Sequence, residues 1–332
     1  MGGTILVAGG AGYIGSHVCK ALARSGYLPV CYDDLSTGHA SAVKWGPLER
    51  GRLGDKARLA GVIGQYRPTA AVHLAGFIAV GESVVDPARY YLNNVAETVN
   101  FLGTLRDASV SQIVFSSSAA VYGEPRQTPI GESHPTWPTS PYGWTKLMVE
   151  RMLADYAPAY GLRSVALRYF NAAGADPDGE IGEDHDPETH LIPLVLETAL
   201  EHREEITVFG DDYDTPDGTC VRDYIHVSDL AAAHVLALAR LQEQAEPSAE
   251  VFNLGNGNGY SVREVIATAG RIIKRNIPTR MAGRRSGDTA ILVSAAYRAT
   301  AALGWTQRYA DLETQIAHAW AWHKKKTTVP GD

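Results

Sequence analysis

The fold of this chain is decided by the stretch TILVAGGAGYIG, which occupies residues 4–15. Its first five residues form a short apolar run, as expected for a central parallel strand that is buried on both faces. Gly9, Gly12 and Gly15 follow at once, and a helical pattern then continues to Ser25. Glycines let a backbone approach a pyrophosphate, and a helix N-terminus offers it N–H groups and a positive dipole end. The stretch therefore predicts a dinucleotide-binding turn.

Acidic residues after the next predicted strand, residues 28–32, indicate which dinucleotide is bound. Asp33 lies eighteen residues after Gly15. A carboxylate there accepts hydrogen bonds from the adenosine ribose hydroxyls and repels a 2′-phosphate, which favours NAD over NADP. Asp34 is adjacent and either shares or takes this role. Asp55, after a turn at Gly54, is either the N-cap of the following helix or a contact of the adenine.

Composition bounds the class of protein. The chain has 332 residues, enough for one large domain or two ordinary ones, and its 45% hydrophobic and 20% charged residues are typical of globular proteins. A net charge of −7 argues against a nucleic-acid binder, and no apolar run reaches the length of a membrane span. The N-terminus is no signal peptide, and Cys19, Cys31 and Cys220 lack metal-ligand spacing. We expect free thiols, no metal ion and a cytoplasmic protein.

Apolar runs and helical patterns alternate through the first half of the chain. Buried strands are predicted at residues 70–74, 112–115 and 163–168, with helices between them. We expect an α/β fold, a doubly wound parallel (Rossmann) sheet with a smaller α/β substrate domain. The loop-like composition of residues 174–190 marks the boundary. The predicted domains are 1–172, which binds NAD, and 173–332, with 226–254 packing back on the first domain.

The stretch PYGWTK, residues 141–146, carries the candidate acid–base pair. Tyr142 and Lys146 are four residues apart, so on a helix their side chains leave the same face. A neighbouring ammonium favours the phenolate, and we expect it to lower the tyrosine pKa towards that of a useful base. Ser118 ends a predicted strand. Because open α/β sheets bind ligands at the carboxyl ends of their strands, Ser118 is expected near Tyr142.

Arginines in the second half suggest a second diphosphate. Arg222, Arg284 and Arg285 lie in loop-like contexts outside the dinucleotide half. Guanidinium groups suit bidentate contacts with phosphates, but the same residues are also consistent with salt bridges to nearby acids. This pattern alone leaves both interpretations open.

Ordered motifs along nearly the whole chain resemble the extended short-chain dehydrogenase/reductase family, and within it the UDP-glucose (UDP-galactose) 4-epimerases. The motifs are GGAGYIGSH at residues 9–17, VGES at 80–83, NNV at 93–95, SSSAAVYG at 116–123, PYGxxK at 141–146, LRYFN at 167–171 and DGTCVRDYIHV at 217–227. The resemblance implies a UDP-sugar 4-epimerase, an isomerase that holds NAD tightly, acts through a 4-keto sugar and forms a homodimer.

The resemblance also implies roles for individual residues. The catalytic set is Ser118, Tyr142 and Lys146, and Lys146 also contacts the nicotinamide ribose. Cofactor contacts beyond the glycines are Tyr13, Ile14, Asp33, Asp55, Asn94 and Tyr169. Substrate contacts are Asn171, His190, Leu191, Phe209, Arg222, Arg285, Asp288 and Leu292.

Three positions depart from the family pattern. Many members carry a lysine where Ile78 stands, so one cofactor contact is missing or replaced. His190 stands where some members have asparagine. Leu292, a tyrosine in other members, is the position that limits space near the sugar C2 substituent. UDP-glucose and UDP-galactose are the default substrates, while UDP-N-acetylhexosamines and UDP-xylose or UDP-arabinose stay open.

Other reactions of the family are less consistent with the sequence. A sugar-nucleotide 4,6-dehydratase needs further acid–base groups, which in those enzymes are an Asp-Glu pair directly after the serine or threonine. Ala119 and Ala120 occupy those positions. A net dehydrogenase would instead consume free NAD or NADPH. A non-enzymatic regulator would be expected to lack Tyr142 or Lys146, and both are present.

Overall fold

The computed structural model describes residues 2–285 and 288–328. The strands, in chain order, are β1 (Thr4–Ala8), β2 (Leu28–Asp33), β3 (Leu48–Arg50), β4 (Ala70–His73), β5 (Gln112–Ser118), β6 (Arg163–Tyr169), β7 (Asn171–Ala173), β8 (Ile206–Phe209), β9 (Val221–His226), β10 (Ser248–Leu254), β11 (Gly259–Ser261), β12 (Thr279–Ala282) and β13 (Ile291–Leu292). The α-helices are α1 (Tyr13–Arg24), α2 (Lys56–Tyr66), α3 (Val80–Val85), α4 (Pro87–Tyr90), α5 (Glu97–Asp107), α6 (Pro141–Tyr160), α7 (Leu191–Ala199), α8 (Val227–Glu243), α9 (Val262–Ile273), α10 (Tyr297–Leu303) and α11 (Leu312–Thr328).

Seven of these strands form one parallel sheet in the order β10-β6-β5-β4-β1-β2-β3. The chain winds outward from β1 in one direction through β2 and β3, and in the other through β4, β5 and β6. The strand order therefore reverses beside β1, and in such sheets the crevice outside the carboxyl ends at this reversal is the ligand site. This confirms the predicted doubly wound fold.

Helices cover both faces of the sheet, as its apolar strands require. Within β1 the side chains alternate. Ile5 and Val7 belong to a core that includes Leu22 of α1 and Leu238 of α8, whereas Leu6 and Ala8 belong to a second core built with α2, α5 and α6. Since successive side chains of a strand point to opposite faces, one strand contributes to both cores.

The remaining strands belong to smaller sheets beyond the carboxyl ends of the main sheet. Strand β9 pairs with β7, β11 and β13, and β8 pairs with β12. Helices α7, α9 and α11 share a third core that includes Val195, Val265 and Ile316. Strand β10 and helix α8 lie within the 173–332 range of the sequence but pack into the main sheet and against α1.

Most predicted elements are present, and several short elements are added. The apolar run 163–168 is a strand that extends to Tyr169. Strand β3 was not predicted, because its three residues are too short to show a period. The helix expected after Pro87 contains a π-helical stretch, Tyr91–Ala96, which no sequence pattern indicates. Within the described residues, no helix combines the length and hydropathy needed to span a bilayer.

Candidate active site

In the glycine turn between β1 and α1, backbone atoms fill the space beside Gly9 and Gly15, whereas the space beside Gly12 is free. Gly9 has φ of +81°, in the left-handed region that favours glycine. A Cβ on Gly15 would lie 2.0 Å from the carbonyl oxygen of Gly9, whereas one on Gly12 would meet no described atom closer than 3.6 Å. The turn is therefore packed against itself on one side and leaves room for a ligand beside the N-terminus of α1. This cradle fits the pyrophosphate of NAD.

Two alanine substitutions distinguish a glycine that backbone packing requires from a glycine that leaves space for the ligand. Gly15→Ala forces a Cβ against the Gly9 carbonyl, so we expect the cofactor-stripped protein to lose about 1–3 kcal/mol of unfolding free energy. The added methyl group of Gly12→Ala makes only an ordinary contact, so the cofactor-stripped variant should melt near the wild-type temperature. The amount of NAD that co-purifies with this variant should fall. Thermal denaturation and NAD released by acid measure the two effects. Wild-type NAD content in Gly12→Ala would show that no pyrophosphate approaches this turn.

Asp33 ends β2 and holds the glycine turn in place. Its carboxylate accepts hydrogen bonds from the backbone N–H groups of Ala11 and Leu35, each at 2.9 Å. Burial raises the pKa of Asp33, and these two donors act in the opposite direction. The carboxylate thus lies at the carboxyl end of the strand beside the turn, where the sequence placed it.

Asp34 and Asp55 have local partners. Asp34 accepts a hydrogen bond from the backbone N–H of Ser36 at 2.9 Å. Asp55 is the N-cap of α2, since its side chain accepts from the N–H of Arg58 at 3.0 Å. Of the two roles left open for Asp55, the structure thus shows the N-cap for its side chain. Contacts of either residue with a cofactor stay a prediction.

Tyr13 and Ile14 begin α1 directly after the turn. The Tyr13 hydroxyl donates to the carbonyl oxygen of Gly174 at 2.7 Å, across 161 residues of sequence. The Tyr13 ring meets His185 edge-on with centroids 6.4 Å apart. Ile14 is half-buried and packs on the core under α1 and α8. Tyr13 therefore joins the glycine turn to residues 174–190, which we call the 174–190 segment.

Asn94 and Tyr169 are buried near the carboxyl ends of β4 and β6. The Asn94 amide donates to the carbonyl oxygen of Phe77 at 3.0 Å and to the hydroxyl of Thr145 at 3.2 Å. It therefore fastens the loop after β4 to α6, one residue before Lys146. The Tyr169 hydroxyl lies 2.5 Å from Nε2 of His234 on α8. Ile78, in the same loop as Phe77, is exposed.

Tyr142 and Lys146 lie on the first turns of α6, as predicted. Ser140 caps this helix by accepting from the N–H of Gly143 at 3.2 Å, and Pro141 occupies its first turn. Both side chains are buried, and Lys146 Nζ lies 5.9 Å from the centre of the Tyr142 ring. Ser118, the last residue of β5, is close enough to Tyr142 for its side chain to act on the pKa of the phenol. The structure therefore brings the three predicted catalytic residues together.

The expected lowering of the tyrosine pKa is wrong for the chain by itself. Burial raises the pKa of Tyr142, and the Ser118 side chain only partly opposes this rise. The Lys146 ammonium is directed elsewhere, since it donates to the carbonyl oxygen of Ser116 at 2.7 Å. Burial also lowers the pKa of Lys146 to about 8, although Glu150 acts to raise it. Desolvation therefore outweighs the attraction between ammonium and phenolate that the spacing suggested.

A buried ion pair below the catalytic residues was missed by sequence reasoning. Glu150, one helical turn after Lys146, accepts from Nε and Nη2 of Arg168 on β6 at 2.8 and 2.6 Å. The third donor of this guanidinium, Nη1, reaches the hydroxyl of Tyr122 at 2.8 Å. The available signal was an arginine inside the otherwise apolar strand β6, because a buried guanidinium needs an anionic partner.

The predicted phosphate ligands converge around Asp288. Its carboxylate accepts from Arg285 at 3.0 Å and lies 3.9 Å from Arg222 Nη2. The Arg285 guanidinium lies over the Phe209 ring, 5.7 Å from its centre. Arg284 pairs instead with Asp212 on the surface. The structure thus groups four of the predicted substrate residues and separates Arg284 from them. Both arginines of the basic turn form salt bridges with acids, so the phosphate contact of Arg285 stays a prediction.

Asn171 and Leu292 connect this group to the catalytic end. The Asn171 amide donates to the carbonyl oxygen of Asp223 at 3.1 Å, beside Arg222 on β9. Leu292 pairs with Arg222 in the β13–β9 register and packs on the apolar cluster that contains Ala119. It therefore lies between the arginine group and the residues that follow Ser118.

His190 and Leu191 begin α7 and differ in their surroundings. Leu191 is half-buried against the core of α7, α9 and α11. His190 Nδ1 lies 2.8 Å from carboxylate oxygens of both Glu183 and Glu188. Burial acts to lower the His190 pKa, but these carboxylates raise it to about 10. The imidazole is thus held by acids of the 174–190 segment, and its predicted contact with a substrate stays a prediction.

Comparisons with known proteins show the family of this chain. Residues 5–255 match the model of the NAD dependent epimerase/dehydratase family. The chain is 50% identical over 324 residues to a UDP-glucose 4-epimerase of Rhizobium leguminosarum bv. trifolii, covering 98% of each chain. It is 52% identical to the UDP-glucose 4-epimerase of Brucella ovis, solved in complex with NAD, with TM-score 0.93 and coverage of 96% and 97%. A third protein, from Stenotrophomonas maltophila, was solved with NAD and formylated UDP-arabinopyranose (39% identity, TM-score 0.93, 98% of each chain).

Proposed function

Because this chain belongs to the NAD dependent epimerase/dehydratase family, we propose that it interconverts UDP-glucose and UDP-galactose at C4 and keeps NAD as a resident cofactor. One observation carries the proposal. Ser118, Tyr142 and Lys146 meet at the carboxyl edge of the parallel sheet, whose strand order reverses beside the glycine turn. Acid–base groups next to a dinucleotide cradle suit oxidation and reduction of a carbinol.

The roles of the chain's own residues follow from their surroundings. When bound, NAD supplies a positive charge and an acceptor that takes the C4 hydrogen and returns it, so that a 4-keto sugar forms in between. Tyr142 removes the proton of the 4-hydroxyl and gives one back, and Ser118 holds the phenol and the sugar oxygen in line. Lys146 keeps a positive charge behind the phenol. Since burial raises the pKa of Tyr142, we infer that the cofactor charge is needed as well to make the phenolate accessible.

The nucleotide is held apart from the reacting carbon. We propose that Arg222 and Arg285 bind the diphosphate, supported by their approach to the same carboxylate of Asp288. Residues 1–172, with 226–254, then hold NAD, and the rest of 173–332 holds UDP. A firm grip on the nucleotide leaves the hexose free to present either face of C4. This division explains why charged contacts lie in one part of the cleft and the acid–base groups in another.

The sugar itself is set by less specific contacts. Leu292 lies between the arginine group and the catalytic end, so its size limits the C2 substituent. We keep UDP-N-acetylhexosamines and the pentoses UDP-xylose and UDP-arabinose as alternatives. A 4,6-dehydratase is disfavoured, because the two residues after Ser118 are alanines in a 3₁₀ turn with no acid–base group.

Incubation of the purified enzyme with each UDP-sugar, without added cofactor, tests the proposal. Chromatographic separation of the products should show the 4-epimer of UDP-glucose or UDP-galactose, with no steady gain of NADH absorbance. Elimination of water would instead identify a dehydratase, and a steady rise of NADH with added NAD would identify a dehydrogenase. Absence of any 4-epimer from all three sugar pairs would refute the proposal.

The pH profile depends on the charge of Lys146. Its pKa is lowered to about 8 by burial, so the ammonium is present below that value and is lost as the pH rises through it. We therefore expect kcat to fall on the alkaline side with an apparent pKa near 8. Initial rates in buffers of constant ionic strength measure this limb. A flat profile up to about pH 10, near the ordinary pKa of lysine, would contradict a role for this charge.

We propose that the enzyme is a homodimer formed through the helices after Pro87 and Pro141. Leu92 is 67% exposed, and Val99 on α5 and Met148 on α6 are exposed as well. Such apolar side chains on helices suit a partner surface. Light scattering of the wild type should give twice the chain mass, and Leu92→Glu should shift it towards the monomer. Tyr297→Glu, at an exposed apolar site on α10, is the control, and a monomeric wild type would contradict the proposal.

We also propose a cytoplasmic location. Cys19, Cys31 and Cys220 are buried free thiols. Burial raises the pKa of Cys19 to about 12, which keeps its thiol protonated. Unpaired buried cysteines are typical of proteins that fold in a reducing compartment. Cell fractionation tests this proposal, which a periplasmic or secreted pool would contradict.

A further inference from the structure

The 174–190 segment gathers four side chains of the types that bind metal ions, and one of them, His190, is also a predicted substrate contact. Glu183, His185, Glu188 and His190 follow the spacing E-x-H-x-x-E-x-H, and one donor atom of each lies within 4.8 Å of the others. His190 Nδ1 lies 2.8 Å from Oε1 of Glu183 and 2.8 Å from Oε1 of Glu188. His185 Nδ1 lies 3.4 Å from the same Glu183 oxygen. The donors come from neighbouring positions and converge on one point.

The two carboxylates of this cluster are buried and share the His190 imidazole as a partner. The side chains of Glu183 and Glu188 are each only 5% exposed. A cavity of about 240 Å³ adjoins them, and Lys326, which also lines it, pairs with Asp184. His185 Nδ1 is buried and makes no hydrogen bond to any described residue. His190 supplies one positive charge to the two buried carboxylates, and a divalent cation that takes the place of its proton would supply charge for both.

The donor set selects the kind of cation. Two imidazole nitrogens and two carboxylate oxygens are ligands of Zn²⁺ and related transition metals, whereas Mg²⁺ and Ca²⁺ prefer oxygen alone. Tetrahedral Zn²⁺ has bonds of about 2.0–2.2 Å, so its donors lie roughly 3.4 Å apart. Donor atoms that are already within 4.8 Å of one another need shifts of about 1 Å to reach this geometry.

A second acidic group in the same segment is already neutralised by a side chain of the protein. Asp176, Asp178 and Glu180 also lie close together. The ammonium of Lys20 on α1 is 2.7, 3.0 and 2.5 Å from their oxygens, so a cation of the chain itself already neutralises them. This group anchors the start of the segment to α1.

We propose that Glu183, His185, Glu188 and His190 bind one divalent transition-metal ion, with Zn²⁺ the best match to the donors. Cysteine spacing predicts no metal ion, and the signal lies in the histidine and glutamate spacing instead. A metal ion here fastens the end of the 174–190 segment next to the N-terminus of α7. Because Tyr13 and Lys20 hold the same segment to α1, the ion completes a strap between the glycine turn and the second half of the chain.

Metal analysis of the untagged, full-length enzyme tests the proposal directly. The protein is purified without chelator and analysed by mass spectrometry of the metals, then stripped with EDTA and titrated calorimetrically with Zn²⁺, Mn²⁺ or Mg²⁺ alone. We expect one Zn²⁺ per chain, and affinity for Mg²⁺ at least about 100-fold weaker. Failure of the stripped wild type to bind Zn²⁺ at a stoichiometry near one would overturn the proposal and leave the cluster as imidazolium–carboxylate pairs.

Two variants and a control locate the site. Glu188→Gln replaces one donor by an isosteric neutral amide, and His185→Asn replaces another by a smaller side chain. We expect either to weaken Zn²⁺ binding at least about 100-fold. Zn²⁺ should raise the melting temperature of the stripped wild type but not of these variants. Glu313→Gln, at an exposed residue that pairs with Arg271, should bind as the wild type does. Equal Zn²⁺ affinity in a folded His185→Asn or Glu188→Gln protein would place the ion elsewhere and overturn the assignment.

Discussion

Replacement of Tyr142 by phenylalanine is expected to lower kcat by about 10²- to 10⁴-fold, the usual contribution of a general acid–base group. The ring still fills its buried place at the start of α6, so the fold and the glycine cradle should be preserved. Only the oxygen that exchanges the proton with the sugar is lost. The enzyme should therefore keep NAD and UDP while turnover nearly stops.

Three measurements separate these effects. Epimerisation rates give kcat, acid release gives the NAD content, and calorimetry gives the affinity for UDP. Tyr160→Phe is the matched control, because Tyr160 ends the same helix and is exposed at the surface. A Tyr142→Phe enzyme with wild-type kcat would remove this residue from the mechanism, whereas loss of bound NAD would show that the hydroxyl serves the cofactor instead.

Truncation of Glu150 to alanine is expected to destabilise the fold by about 3–5 kcal/mol, since it leaves a buried guanidinium without its anion. Arg168 loses both hydrogen bonds to that carboxylate, at 2.8 and 2.6 Å. The substitution also removes the group that raises the pKa of Lys146, so this pKa should fall further below 8. Removing the nearby negative charge of Glu150 favours the neutral amine of Lys146 and lowers its pKa. The alkaline limb of the kcat profile should therefore move to lower pH.

Chemical denaturation measures the loss of stability, and the pH–rate profile measures the shift of the limb. Asp155→Ala, which breaks the exposed pair of Asp155 with Arg151 on the same helix, should cost only about 0.3–0.5 kcal/mol and leave the profile unchanged. Equal losses of stability in the two variants would mean that the buried pair is no more important than a surface one.

The sheet and the placement of the candidate catalytic residues were predictable because each depends on a local pattern. The apolar run before Gly9 and the four-residue spacing of Tyr142 and Lys146 are properties of short segments, and the fold then brings strand ends together by topology. The strand β3 and the π-helical turn that carries Asn94 have no comparable signal, since one is too short and the other depends on tertiary packing.

The pairing of charged residues that are distant in sequence, and the effect of burial on their pKa values, could not be predicted from the sequence. Spacing alone suggested that Lys146 would act mainly on Tyr142, yet burial dominates the pKa of both side chains. Nothing local shows that Glu150 faces Arg168 across the helix–sheet interface, or that Arg285 rather than Arg284 reaches Asp288. Burial and pairing are set by the whole fold, so they appear only once the structure is known.

The fate of the C4 hydrogen tests the central claim most directly. UDP-galactose carrying deuterium at C4 is incubated with the enzyme, without added cofactor, and the UDP-glucose formed is analysed by NMR and mass spectrometry. If Tyr142 handles only the hydroxyl proton beside a resident NAD, the product keeps the deuterium at C4 with its configuration inverted. Replacement of that deuterium by hydrogen from water would contradict the account, because the C4 hydrogen would then leave as a proton rather than pass to the cofactor and back.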